Sequence, residues 1–252
     1  MRIEYLYRYP VKGLTAEALE RTEVEPGGCI PWDRAFALAQ GDAGFNPAQP
    51  EWKRAINFMC LKGSARIALL RSSFDDRSGE LAIRAPDGSA VMANARYPEG
   101  RAEIAAFLTA YLGDEARGTP AFHHVPGHSF SDKQAKLVSL NSLDSLRDYE
   151  AKIGERRHRR RFRGNIWFSG APAWAEFNWI GRDIQVGGAT LRVVSRVPRC
   201  RATEVHPETA ARDINPMAEL RDLYGHTDLG VYAEVIEGGK LAVGDAIEVL
   251  PE

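Results

Sequence analysis

Cysteine is scarce in this chain: Cys29, Cys60 and Cys200 are the only three in 252 residues, and they lie far apart. That spacing excludes a CxxC zinc knuckle, a dithiol redox pair and a disulfide framework, and the odd count fits a reducing compartment. Long apolar runs are also lacking. No stretch reaches the roughly 18 apolar residues that a membrane-spanning helix needs, and the opening MRIEYLYRYPVKG has no apolar signal core. A soluble cytoplasmic protein with no membrane partner is the expectation. Nor does charge of one sign dominate, because 33 Lys and Arg stand against 34 Asp and Glu, for a net charge of −1. Any basic function must therefore be local rather than global. Glycine fingerprints of dinucleotide and triphosphate loops are missing, as are a serine nucleophile elbow, a fixed-period repeat and any low-complexity tract.

What is present is an ordinary globular balance, 44% apolar and 27% charged residues. The first 95 or so residues read mostly as strands: RIEYLYRYPV, LERTEVEPGG and RAFALAQ. Consecutive hairpins follow over ARIALLRSSFDDRSGELAIRAPDGSAV, with turns near Ser78-Gly79 and Asp87-Gly88. EIAAFLTAYLG then carries apolar residues at helical spacing and stops at Gly113. Residues 114–134 form a polar connection. Beyond it lie the strand KLVSL and a helix over NSLDSLRDYEAKIG, capped by Asn141 or Ser142 and ended by Gly154. Strands NIWFS, DIQVG, TLRVVSRV, GVYAEVIEG and GDAIEVL follow, interrupted by the short helix MAELRDLYG. This pattern predicts a mainly β, α+β chain with flanking helices, in two domains: a β-barrel-like one over 1–115 and a second β-barrel over 116–252.

Chemistry concentrates in three places. In RVPRCRATEVHP, Cys200 sits between Arg199 and Arg201 with Arg196 upstream, a setting that favours a thiolate as nucleophile or metal ligand. A small buried hydrophobe is the plainer reading of the same residue. In ERRHRRRFRGN, a strand over RFRGN would put Arg161 and Arg163 on one face as a phosphate clamp. A solvated basic run and a nucleic-acid contact are the alternatives there. The turn RYPVKGL offers Lys12 to an anionic ligand, and PWDRAFAL offers Arg34. His123, His124 and His128 form HHxxxH, without a helical pattern or acidic partner to support a metal site.

In order along the chain, YPVKGL, DRAFAL, KLVSLNSLDSL, RFRGNIWFSG, VPRCRATEVHPET and LYGHTDLGVYAEVIEGGKLAVGDAIEVL resemble the MOSC superfamily. The resemblance is to the subgroup with an N-terminal MOSC β-barrel domain, which includes the amidoxime-reducing components. It implies a molybdenum cofactor (Mo-molybdopterin), with Cys200 as metal ligand and catalytic centre. It also implies that Lys12, Gly13, Arg34, Ser142, Arg161, Arg163, Asn165 and Arg199 hold the cofactor, in a cleft between the two domains. A soft thiolate suits such a centre. The implied activity is reduction of N-hydroxylated small molecules, with electrons from a separate flavin or iron–sulfur donor protein.

Three departures stand out. Gly13 occupies a position where relatives often carry serine, HPETAAR replaces the usual turn after the cysteine, and no cysteine cluster for an iron–sulfur centre precedes Glu252. Two other readings remain open at this point: a carrier of molybdenum cofactor or sulfur without turnover, and a nucleic-acid binder using residues 156–163, although nucleic acid is not the expected partner.

Overall fold

Ile3 and Leu6 face inward between outward-facing charges and make the first strand, β1 (Arg2–Arg8), in a computed structural model that describes residues 1–251. The elements that follow are β2 (Glu17–Leu19), β3 (Arg21–Val24), β4 (Phe36–Ala39), β5 (Arg71–Phe74), β6 (Glu80–Arg84), β7 (Ala90–Asn94), α1 (Pro98–Leu112) and β8 (Ala121–His124). The second half contributes β9 (Val138–Ser142), α2 (Leu143–Ile153), β10 (Ile166–Ser169), β11 (Asp183–Val186), β12 (Ala189–Pro198), α3 (Pro216–Tyr224), β13 (Asp228–Glu237), β14 (Gly239–Ala242) and β15 (Ile247–Val249). Among the described residues the chain is mainly β with three flanking α-helices, the class its sequence predicts.

Eight strands form one curled sheet in the order β15-β11-β12-β13-β9-β10-β1-β2. Only β9 and β10 run parallel, joined by a crossover that includes α2; the other pairs are antiparallel. The sheet wraps a core that includes Ile3, Leu140, Ile166, Leu191, Val231 and Ile247. Strands β1 and β2 thus complete a sheet whose other members come from beyond residue 137, and β3 pairs with β14. A second core, around Phe36, Leu38, Leu81, Ile104 and Phe122, lies under the β5-β6-β7 meander, the β4–β8 pair and α1.

Local chemistry explains the helix limits. Pro98 starts α1, and Ile104, Leu108 and Leu112 form its buried stripe at four-residue spacing. Ser142 caps α2 by accepting from the backbone N–H groups of Asp144 and Ser145 at 3.1 and 3.2 Å, and left-handed Gly154 ends it.

Two local expectations need correction. Arg66–Leu69, read as strand within ARIALL, is a 3-10 turn, and the meander begins at Arg71. Arg159–Phe162 is also a 3-10 turn, with Arg163 left-handed at its end (φ 51°), so Arg161 and Arg163 are not same-face neighbours on a strand. Close packing accounts for the tight turn. A Cβ on Gly164 would fall 1.9 Å from the Asn141 side-chain nitrogen, so chain and amide fit only with glycine there.

Candidate functional site

One cavity collects most of the residues singled out from the sequence. Lys12, Gly13, Asp33 and Arg34 line it from the N-terminal side. Arg161, Arg163, Asn165, Arg199 and Cys200 line it from the C-terminal side. The cavity opens to solvent, and its empty space, mouth included, comes to about 970 Å³. Ser142 is not part of it. The hydroxyl at that position caps α2, while Ser139, three residues earlier on β9, faces the cavity.

The cations arrive by different routes. Lys12 is fixed by its backbone N–H, which donates to Phe36 O at 2.8 Å, and its ammonium donates to Phe130 O at 2.8 Å and Asp132 Oδ1 at 2.5 Å. Burial opposes ionisation of Asp132, yet the adjacent Lys12 charge holds its carboxyl below the usual range. Gly13, at φ 88°, turns the chain where any Cβ would meet Ile67 Cδ1 at 2.9 Å and Met59 O at 3.1 Å. A serine there would combine that crowding with left-handed backbone strain. Arg34 is left-handed too (φ 53°). It pairs with the buried Asp33 carboxylate and donates to Arg163 O at 2.9 Å. The guanidinium carbons of Arg34 and Arg163 lie 4.4 and 4.3 Å from the Tyr9 ring centroid.

Arg161 is satisfied by protein, donating to Glu204 O at 2.9 Å and to the Asp213 carboxylate at 2.8 Å. Arg163 and Arg199 are not neutralised. Arg163 donates to Leu14 O, and Arg199 donates to Phe162 O, Asn141 Oδ1 and Leu229 O, but among the described residues neither pairs with a carboxylate. Burial pushes both guanidinium pKa values down to about 10, so both remain charged at neutral pH, and among the described residues Arg199 Nε has no hydrogen-bond partner. Two desolvated cations without counter-ions create an electrostatic demand for an anion in the cavity.

Cys200 lies two residues past the end of β12 in extended backbone, partly exposed and free, with its carbonyl accepting from the N–H and hydroxyl of Thr203. The arginines nearest in sequence mostly turn away from it. Arg196 lies over the Phe177 ring and Arg201 pairs with Glu204 at the surface. Only Arg199 enters the cavity. Asn165 lines the wall, but its amide is committed: Oδ1 accepts from Ser139, and Nδ2 donates to Tyr7 O at 3.2 Å.

The rest of the basic run disperses. Arg156 and Arg157 pair with Glu150 and Glu219, and Arg159 lies 3.7 Å from the Tyr5 ring centroid. The HHxxxH histidines sit in aromatic packing. His123 and His128 pack on Phe45, and His124 packs on Trp32 and Phe36. Among the described residues, no group of three or more His, Cys, Asp or Glu is arranged to hold a metal ion.

Sequence reasoning missed Cys60, Asp132, Lys62, Lys133 and Tyr232, all of which line the cavity. It also missed Asp33, although its place beside Arg34 was a readable signal. Tyr232 was readable as well, since it falls between the core-facing Val231 and Ala233 on β13 and so points to the other face.

A mostly β chain with a cation-lined cavity and a single partly exposed thiol on its wall is built to hold an anionic ligand that a soft sulfur can touch. Those residues fit a phosphate-bearing cofactor with a thiophilic metal. The MOSC domain model matches residues 126–248, and the model of the MOSC N-terminal beta barrel domain matches residues 1–120. The chain belongs to the MOSC superfamily. It is similar to mitochondrial amidoxime-reducing component 1 of Mus musculus, 29% identical over 134 residues, 48% of this chain and 38% of that protein. It is also similar to mitochondrial amidoxime reducing component 2 of Rattus norvegicus, 26% identical over 173 residues, 58% and 51% of the two chains. The matched segments thus span about half or less of these relatives. Among solved structures, the YUAD protein of Bacillus subtilis aligns over 98% of this chain and 94% of its own, at 16% identity and a TM-score of 0.45. Among the described residues no helix is long and apolar enough to cross a membrane.

Proposed function

We propose that the chain is a molybdenum-cofactor-binding oxidoreductase that reduces N-hydroxylated small molecules, drawing electrons from a separate flavin or iron–sulfur protein. One observation carries this reading: the Cys200 thiol shares a cavity with two guanidiniums, of buried Arg199 and half-buried Arg163, that among the described residues lack carboxylate partners. The names of the mouse and rat relatives support the choice of substrate class.

Lys12, Arg34 and Arg163 would hold the phosphate end of the cofactor, with Arg161 beside them and held by Asp213, and Cys200 would be the protein's sulfur ligand to the metal. The bound molybdenum would supply two-electron reduction of an N–O bond. Arg199 would offset negative charge behind Cys200. Asn165, braced between Ser139 and Tyr7, would set the wall's shape rather than donate to the ligand. Burial pushes the Tyr232 phenol up, so it keeps its proton at neutral pH and can donate a hydrogen bond to a substrate oxygen in the cavity.

Turnover is tested by chemically reducing metal-loaded protein and adding benzamidoxime without air. Benzamidine formed in proportion to enzyme, with reoxidation of the metal, is the predicted result. Metal-loaded protein that neither reoxidises nor forms product would leave a cofactor carrier in place of a reductase.

A further inference from the structure

Gly13, Leu61, Arg161 and Arg163 border two cavities, the main one and a smaller one behind it. The far side of the smaller cavity adds Arg71, from the start of β5, and Arg160. Four guanidiniums therefore line this compartment, and among the described residues no carboxylate does. Arg161 is paired with Asp213, whereas among the described residues Arg71, Arg160 and Arg163 form no ion pair. Arg71 uses Nη1 on the carbonyls of Ala68 and Leu70, which leaves Nη2 and Nε without protein partners.

Like charges gathered in a recess repel one another unless an anion joins them, and guanidinium forks match phosphate oxygens in geometry. The remaining wall is different in kind. Ala16, Ala68 and Pro207 give it a partly exposed apolar surface, over the buried Leu14 and Val205, that a bare inorganic anion would not use. We propose that this side cavity binds a phosphomonoester carried on a planar apolar body, with a nucleoside monophosphate as the ligand class. The inference rests on the side cavity, which shares Arg161 and Arg163 with the proposed cofactor site and adds Arg71 and Arg160 of its own. Such a group could arrive as a free nucleotide, or as a nucleotidyl extension of a ligand already held across the Arg161–Arg163 partition.

Calorimetric titration of the full chain with AMP tests this, with adenosine and inorganic phosphate as comparisons. AMP should bind at least about tenfold more tightly than either. Arg71→Ala/Arg160→Ala, which removes two exposed side chains, should weaken AMP by about tenfold or more without changing the melting temperature. Lys12→Ala and Cys200→Ala, which alter only the main cavity, should leave AMP affinity intact. AMP binding no tighter than phosphate, unchanged in the double variant, or abolished by Lys12→Ala would overturn the proposal. Mass spectrometry of pterin released from the protein separates the two sources. A nucleotidyl group on it assigns the phosphate to an extension of that ligand, and unmodified pterin alongside AMP binding assigns it to a free nucleotide. Loss of all pterin with AMP binding retained would count against the proposed function and not against this site.

Discussion

Arg34 Nη2 donates to the backbone carbonyl of Arg163 at 2.9 Å, and both residues hold left-handed backbone. One hydrogen bond thus ties the turn before β4 to the turn before β10, and both residues line the cavity. Left-handed geometry in non-glycine residues carries strain, and here it falls on two of the cations that face the ligand space. Arg34→Ala would leave the Asp33 carboxylate, 5% exposed, without its charged partner and with the Tyr9 N–H still donating to it. We expect a loss of about 3 kcal/mol in urea denaturation, together with a drop in bound pterin. Arg34→Lys restores the charge but not the planar fork, so it should recover part of the stability and little of the binding.

Gly13→Ser is predicted to be destabilising rather than to recover a lost hydroxyl contact. The backbone at φ 88° and the 2.9 Å approach to Ile67 Cδ1 together set a cost of about 2 kcal/mol or more, readable as a fall in the urea midpoint. A midpoint equal to wild type would show that the turn relaxes freely.

Glu176 supplies a pH signature far from the site. It is fully buried, its carboxylate accepts from the Ser145 hydroxyl at 2.9 Å, and burial pushes its pKa up to about 7. The folded protein therefore binds this proton more tightly than the unfolded chain, whose carboxyl titrates near 4.5. Its stabilising contribution is complete below about pH 4.5 and disappears as pH rises through about 7. Glu176→Gln should match wild type in acid and exceed it by up to about 3 kcal/mol at pH 8. A constant difference from pH 4 to 8 would refute the assignment.

The uncompensated guanidiniums of Arg163 and Arg199 predict stabilisation by anions. Phosphate should raise the melting temperature by a few degrees over chloride at equal ionic strength, because it binds only the folded cavity. The gain should shrink in Arg163→Gln. An equal shift in both proteins would point to a nonspecific salt effect.

Much of the fold was legible because it rests on local rules. Ser142 followed by Asp144 and the Leu143–Leu146 stripe marks α2 at both ends, and Ser78-Gly79 and Asp87-Gly88 mark the meander turns. The site was half legible. Lys12, Arg34, Arg161, Arg163, Arg199 and Cys200 stand out by residue type and come together in the fold. The alternation in RFR misled, because what bends that segment is the approach of Gly164 to Asn141, a contact between residues 23 positions apart in sequence. Arg196 and Arg201 misled in the opposite sense, since closeness in sequence to Cys200 does not decide which side chains share its cavity. The second cavity was invisible in sequence, because Arg71 and Arg160 meet only through tertiary packing.

Metal content tests the central claim most directly. Wild type, Cys200→Ala and Cys60→Ala should be produced in a bacterial host that makes molybdenum cofactor, and molybdenum and pterin measured per chain. The account predicts substantial molybdenum in wild type, retention in Cys60→Ala, and a sharp fall in Cys200→Ala while the cavity's cations still hold some pterin. Equal molybdenum in Cys200→Ala, or loss in Cys60→Ala instead, would contradict it.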